Sequence, residues 1–235
     1  MSKLAATAEF TVEVNLVIFS IDMVQQRLLV LVIRRREDPL RGAWSLPGTR
    51  VQPQESLEEA AIRTLNEHIH VGNLYLEQLY TFGGPRRDPR EVQTGHRYLS
   101  VSYLALVRYQ DSQLIAHDVE GIAWYGLQEL PPLAFDHATI SQYAHQRLCN
   151  KLEYSPIAFD ILPGEFTLSQ VYQLYETVLG SHFADYSNFR SRLLKLGFLR
   201  ETGIKTNQGA GRPAALYRFD HSRFERVKNK PLLFV

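Results

Sequence analysis

Two stretches of this 235-residue chain gather side chains able to do chemistry. The first is a set of arginines and aromatics in the N-terminal half. Arg34-Arg35-Arg36 ends an apolar segment, and Gly42-Ala-Trp44 lies in the turn beyond it. Further on, Tyr80-Thr-Phe82-Gly-Gly-Pro-Arg86-Arg-Asp88-Pro-Arg90 forms a loop with aromatics at its entry. Arginine presents a planar fork of donors that matches phosphate oxygens, and aromatic rings stack on a base. The set suits a nucleotide diphosphate, with Arg36, Trp44, Tyr80, Phe82, Arg86, Asp88 and Arg90 as candidate contacts. Arg50 is a further candidate phosphate contact. Each has a plainer alternative when read singly: an aromatic in the core, or an arginine on the surface.

The second stretch is Tyr186-Ser-Asn-Phe-Arg-Ser-Arg-Leu-Leu-Lys195. At helical spacing, Phe189, Leu193, Leu194 and Leu196 pack inward. Ser187, Asn188, Arg190, Ser191, Arg192 and Lys195 point outward. These are the residue types that read base edges or clasp phosphates when a helix enters the major groove. The alternative is an ordinary amphipathic surface helix. Lys205-Thr-Asn-Gln-Gly-Ala-Gly-Arg-Pro213 follows as a Gly-rich, basic tip between two strand patterns. Such a wing lies along the backbone or places an arginine in the minor groove. Lys205, Arg212 and Pro213 are its candidate contacts, and Pro213 stiffens the tip.

The elements that must position these groups follow from periodicity. Residues 10–19 and 27–34 read as strands, and 38–48 as a Gly/Trp/Pro-rich turn. Residues 56–69 read as a helix opened by a capping box, Ser56 with Glu59. Strands follow at 74–82, 98–109 and 122–125. After Pro131-Pro132 the pattern turns helical: 138–152, then a Thr167–Gln170 capping box leading a helix to Gly180, then 185–196. Strands at 198–202 and 214–219 flank the loop 203–213. Helix, helix, helix, strand, loop, strand is the order of a winged helix-turn-helix.

Composition limits the function classes. Apolar residues make up 45% and charged residues 22%, which excludes a disordered chain. No apolar run approaches the roughly 18–20 residues of a membrane span, and the N-terminus lacks a signal-peptide pattern. The lone Cys149 excludes an internal disulfide and a thiolate metal cluster. A cytoplasmic protein is the expectation. The net charge of +1 hides an asymmetry: residues 185–230 carry 11 Lys and Arg against 4 Asp and Glu. A basic C-terminal part points to nucleic acid.

The segment Thr49 to Val71 resembles the Nudix box, the pattern of pyrophosphate hydrolases. Glu55, Arg63, Leu65, Glu67 and Val71 match it. Thr49 and His70 stand where the family has glycine, and Thr64 and His68 where it has glutamate. In an intact box, glutamates at spacing 0, 3 and 4 hold divalent cations on the phosphates. Here those positions are Thr64, Glu67 and His68. Threonine is a poor anionic ligand and histidine suits softer metals. Little or no hydrolysis is expected, with no catalytic residue and no metal site.

Taken whole, the chain resembles the NrtR family, Nudix-related transcriptional regulators of NAD metabolism. The resemblance rests on Trp44-Ser-Leu-Pro-Gly48, the altered box, the Gln78-Leu-Tyr-Thr-Phe-Gly and Arg-Asp-Pro-Arg90 segments, and Phe135-Asp-His-Ala-Thr-Ile. It continues through Lys151-Leu-Glu-Tyr-Ser-Pro, Phe166-Thr-Leu-Ser-Gln, Asn188-Phe-Arg and Gly211-Arg-Pro-Ala. It implies an α+β protein: a Nudix α/β/α sandwich over residues 1–136, then a winged-helix DNA-binding domain over 137–235. It further implies a homodimeric repressor of NAD synthesis or salvage genes on double-stranded operator DNA. ADP-ribose, or a related nucleotide diphosphate, is the expected effector, with no cofactor and no membrane partner. The rival reading is an active ADP-ribose pyrophosphatase whose C-terminal domain only dimerises it.

Overall fold

The computed structural model describes residues 9–69, 75–108, 121–180, 183, 185–206 and 213–228. Two compact units emerge: residues 1–19 with 29–144, and residues 20–28 with 145–235. The architecture is α+β.

The N-terminal unit is built on one mixed sheet. Its strands are β1 (Phe10–Asp22), β2 (Arg27–Arg34), β3 (Trp44–Ser45), β4 (Gly48–Arg50), β5 (Tyr75–Phe82), β6 (Arg97–Leu106) and β7 (Ile122–Gly126). The order is β3-β2-β1-β6-β5, with β4 also on β1 and β7 also on β2. β1 runs parallel to β6, and β4 antiparallel to β1. Val14, Leu16 and Ile18 of β1 share one face, at the two-residue period of a strand. They pack with Leu31, Val101, Tyr103 and Ala105 against Ala60, Ala61, Leu65 and Ile69. Those last residues form the apolar stripe of helix α1 (Leu57–His68) and the residue that caps it. The opposite face of β1, with Val17 and Phe19, is also fully buried. A strand buried on both faces reads as a continuous apolar run, which is how residues 16–19 read.

The 38–48 turn contains more order than its composition suggests. β3 and β4 lie within and just beyond it because the chain passes close to β1. A Cβ on Gly48 would meet the Asn15 amide nitrogen at 2.1 Å and the Val14 carbonyl at 2.9 Å. Glycine is the residue that permits this approach.

Six further α-helices occur among the described residues. They are α2 (Arg90–Thr94), α3 (His137–Tyr154), α4 (Ala158–Ile161), α5 (Leu168–Leu179), α6 (Tyr186–Lys195) and α7 (His221–Phe224). The C-terminal unit adds the antiparallel pair β8 (Leu199–Thr206) and β9 (Ala214–Phe219). Thr167 caps α5 in the expected capping box. Its core is aromatic: Phe159, Phe198 and Phe219 pack together, and Tyr172 and Tyr175 pack on Phe189 of α6. β8 is longer than the 198–202 strand read from sequence. A register shift between Glu201 and Lys205, with Gly203 at φ +79°, lets pairing resume at Lys205 opposite Ala215. A bulge with glycine at positive φ is a standard way to continue a ladder. Lys205 therefore lies on the strand, not in the tip. Among the described residues no helix is long and apolar enough to cross a membrane.

Candidate effector cleft and nucleic-acid surface

A cleft of about 1630 Å³ opens in the N-terminal unit. Arg36, Trp44, Arg50 and Arg90 line it, with Glu13 and Asn15 of β1, Arg34 and Arg35 of β2, Glu67 and His68 of α1, and Phe135 and His137. Four of the eight residues singled out as ligand contacts thus share one wall-to-wall site. Tyr80, Phe82, Arg86 and Asp88 are not in its lining.

Each absence has a local cause. Tyr80 and Phe82 stack with each other and with Tyr143, at ring centroid separations of 5.1 to 5.8 Å. Tyr80 is 52% exposed there. Arg86 adopts positive φ, and its main-chain N–H donates to the Glu91 carboxylate at 2.7 Å. Asp88 is buried and accepts from Arg90 Nε and Nη2 at 2.9 and 2.5 Å. It therefore serves by holding Arg90, a cleft residue. These hydrogen bonds hold the Asp88 carboxyl below its usual range despite burial.

Most guanidinium groups of the cleft are already engaged. Arg90 also donates to Glu13 Oε1 at 2.9 Å and lies 4.1 Å over the Tyr98 ring. Arg34 sits 4.1 Å over Trp44 and donates to the Gly42 carbonyl. Arg35 sits 4.6 Å over Phe135 and donates to the Pro39 carbonyl at 2.8 Å. Arg50 differs. Its side chain is 64% exposed and its ion pair to Glu13 is long, at 3.7 Å. Arg36 is exposed as well. These two are the arginines best placed to meet an anion.

The box helix is organised around Arg63. Its Nε and Nη2 donate to the two Glu55 carboxylate oxygens at 2.7 and 2.9 Å. Its Nη1 donates to Thr49 Oγ1 at 3.0 Å and to Glu67 Oε1 at 3.3 Å, and Nη2 also reaches the Arg50 carbonyl. The threonine standing at a glycine position has become a hydrogen-bond partner. Arg63 and the Gln52 N–H pull the Glu55 carboxyl down to about 2. Thr64 is fully buried, and its hydroxyl donates to the Ala60 carbonyl at 2.8 Å. It belongs to the 60/61/64/65 stripe facing the sheet, so it does not share the cleft wall with Glu67 and His68. His68 has a lowered pKa, first through burial. His70 lies outside the described residues. No cluster of three or more His, Cys, Asp or Glu side chains suited to a metal ion occurs among the described residues.

The sequence reading missed Glu13, Phe135 and His137, and of the Arg34-Arg35-Arg36 run it singled out Arg36 alone although all three line the cleft. Glu13 had a signal, a charged residue between Val12 and Val14 in a strand. His137 sat in a motif noted without a role. It is 3% exposed, its Nδ1 accepts the Leu46 N–H at 3.0 Å, and burial pushes its pKa down to about 3. Arg87 was also missed: it is 4% exposed and pairs through two bonds, 2.6 and 2.9 Å, with Asp136.

In the C-terminal unit, Asp185 caps α6 by accepting from the Ser187 and Asn188 N–H groups. Phe189 and Leu193 are buried. Ser187, Asn188, Arg190, Ser191, Arg192 and Lys195 are all exposed. Six candidate contacts therefore share one open helix face. Lys205 and Pro213 are exposed on either side of the wing, and Arg212 lies outside the described residues.

A model of the NUDIX domain matches residues 11–145, more than half of the chain. One of the AraR C-terminal winged HTH domain matches residues 154–235. The ADPR-responsive transcriptional repressor NtrR of Acinetobacter baylyi is 35% identical over 210 residues, 88% of this chain and 80% of that protein. This chain belongs to the NrtR family. The crystal structure of Shewanella oneidensis NrtR with a 27mer DNA superposes on it with a TM-score of 0.79 at 34% identity, over 91% of this chain and 95% of that one. An ADP-ribose pyrophosphatase of Methanocaldococcus jannaschii is 32% identical over 112 residues, 47% of this chain and 62% of that enzyme. The Acinetobacter baylyi relative, matched over 88% of this NrtR-family chain, is a transcriptional repressor.

Proposed function

We propose that this chain is an ADP-ribose-responsive repressor of NAD synthesis or salvage genes, acting as a homodimer in the bacterial cytoplasm. The observation that carries the reading is the α6 face: the polar and basic side chains expected to read DNA are all exposed, while Phe189 and Leu193 behind them are buried. The match to NtrR extends through both units, so the two functions of such a regulator fall within one chain. A two-fold dimer would set two such helices on half-sites about one or two helical turns apart. In the cleft, Arg50 and Arg36 meet the diphosphate. The effector releases DNA only to the extent that it prefers the arrangement unable to bind DNA. A coupling of about 1–3 kcal/mol gives roughly 5–150-fold weaker DNA binding.

The same reading makes the cleft a sensor that does not turn its ligand over. The residues do not fit a hard divalent ion. Of the three box positions, Thr64 has its hydroxyl sealed against Ala60, Glu67 is paired with Arg63, and His68 is an imidazole. One engaged carboxylate is too little negative charge to hold Mg²⁺ on a diphosphate.

Fluorescence anisotropy on a selected operator, titrated with ADP-ribose at fixed salt while AMP is followed, tests both statements. Salt is fixed because phosphate contacts make affinity salt-dependent. Tight binding reversed by ADP-ribose without AMP is the expected result. Steady magnesium-dependent AMP release with no selectable site would establish the pyrophosphatase instead.

A further inference from the structure

His137 is the first residue of α3 and the third of the Phe135-Asp-His-Ala-Thr-Ile motif. Its ring is nearly enclosed, yet it belongs to the wall of the cleft together with Phe135, Trp44, Leu46 and Ile33. The Leu46 N–H points at Nδ1, so Nδ1 must be the acceptor. Burial, with Arg87 and Arg35 nearby, keeps the imidazole neutral. A neutral ring whose Nδ1 accepts carries its single proton on Nε2. That Nε2 has no hydrogen-bond partner among the described residues, and it is not among the buried nitrogens shut off from solvent. The small exposed part of an otherwise buried histidine is therefore an oriented N–H donor at the cleft wall.

This donor differs in kind from the rest of the site. Arg36 and Arg50 carry full charge and suit phosphate oxygens. The His137 donor is uncharged, and Phe135, Trp44, Leu46 and Ile33 share its part of the cleft lining with Arg34 and Arg35. Each neighbouring ring is already faced by a guanidinium, Arg34 on Trp44 and Arg35 on Phe135. Arginine-backed rings and aliphatic groups beside one neutral donor fit a heterocyclic base, which stacks and accepts a hydrogen bond.

We propose that His137 is a specificity-determining residue whose Nε2–H donates a hydrogen bond to a ring nitrogen of the effector's base. The assignment rests on the effector reading above and adds which part of the nucleotide this wall recognises. An effector lacking the acceptor leaves a buried donor unmet, which is how a small site rejects near neighbours.

The test uses wild-type, ¹⁵N-labelled full-length protein, with the histidine ring resonances followed by NMR and binding followed by calorimetry. Before ligand, His137 shows a protonated Nε2 and an unprotonated Nδ1. Saturating ADP-ribose should shift the Nε2–H resonance and slow its exchange with water, and inorganic pyrophosphate should leave it in place. An unchanged resonance at calorimetric saturation with ADP-ribose would overturn the assignment. So would an equal shift with pyrophosphate, which would make the contact one to phosphate. No ADP-ribose binding heat at all would instead overturn the effector reading, and this proposal with it. As a second measurement, His137→Phe keeps the ring's bulk and removes both the Nε2 donor and the Nδ1 acceptor of the Leu46 N–H, so its folding and its pyrophosphate affinity serve as the controls. It should weaken ADP-ribose binding roughly 3- to 10-fold, the size of one neutral hydrogen bond, with pyrophosphate affinity and operator binding unchanged. Equal ADP-ribose affinity in a folded His137→Phe protein would count against the proposal.

Discussion

The cleft of the N-terminal unit and the exposed face of α6 are both rich in arginine and polar groups, yet they are organised in opposite ways. In the cleft, Arg90 is held by Asp88, two residues before it, and by Glu13 on β1, and beside the cleft Arg63 of the box helix is held by Glu55 and Thr49. On α6, the contacts expected from spacing stand together on one surface of a single element. A helix face is a local property, because residues three and four apart are neighbours whatever the rest of the chain does. A cleft is a long-range property, because its walls come from β1, β2, α1 and the start of α3. The lesson is that an arginine's type announces its chemistry, while only its partners decide whether it is spent on the protein or left for a ligand.

The sharpest way to break this contrast is to cut one of the held arginines. Arg87→Ala leaves Asp136 without its partner of two hydrogen bonds. With Asp136 25% exposed, the carboxylate left behind regains some water, so denaturant unfolding should show a loss of about 1–3 kcal/mol. A loss below about 1 kcal/mol would mean that the held arginines of the N-terminal unit are no more rigidly built than the helix face.

His137 makes a related prediction in pH. Its folded pKa is lowered to about 3 from an ordinary 6.5. Below pH 6.5 the unfolded chain binds a proton that the folded chain refuses. The contribution is therefore complete above about 6.5 and is lost as pH falls toward 3, at up to about 1.4 kcal/mol per pH unit. Unfolding curves from pH 7 to 4 should lose this slope in His137→Phe. The same slope in both proteins would show that the ring is not buried neutral.

On the other side of the comparison, Arg190→Ala should weaken operator binding by about 1–3 kcal/mol, roughly 5–150-fold. Stability and ADP-ribose affinity should stay as they were. Unchanged operator affinity would remove α6 from the groove.

Effects confined to ligand affinity separate the cleft's own residues. Arg50→Ala should weaken ADP-ribose binding by about 1.5–3 kcal/mol if its exposed guanidinium meets the diphosphate. Arg86→Ala and Tyr80→Ser should leave it within about twofold, since neither residue lines the cleft. Calorimetry on the three variants orders them, and a loss at Arg86 or Tyr80 equal to that at Arg50 would put the ligand outside this cleft.

Legibility followed range of interaction. The capping boxes at Ser56 and Thr167, the core stripe of α1 and the exposed face of α6 were readable, because each is decided within about one helical turn; of the four residues expected to pack inward from α6, Phe189 and Leu193 are buried and Leu194 and Leu196 half-buried. The bulge at Gly203 was not, since the register of β8 is fixed only by its pairing with β9. The same holds in the cleft. Tyr80 and Phe82 looked like base-stacking residues, and their packing on Tyr143, some sixty positions away, was invisible. Thr64 looked like a cleft position through its place in the box, and the sheet beneath α1 claimed it for the core.

By itself, the sequence determined the two-part organisation, the α+β class, the resemblance to a regulator and the loss of glutamate at two box positions. Those depend on residue type and local period, which the chain carries in linear order. Tertiary structure alone decided which arginines remain for a ligand, that Thr64 faces inward, and that His137 is neutral with its proton on Nε2. Each of these depends on a partner far along the chain, Glu13 for Arg90, the sheet for Thr64 and Leu46 for His137. Such partners meet only when folding removes both from water.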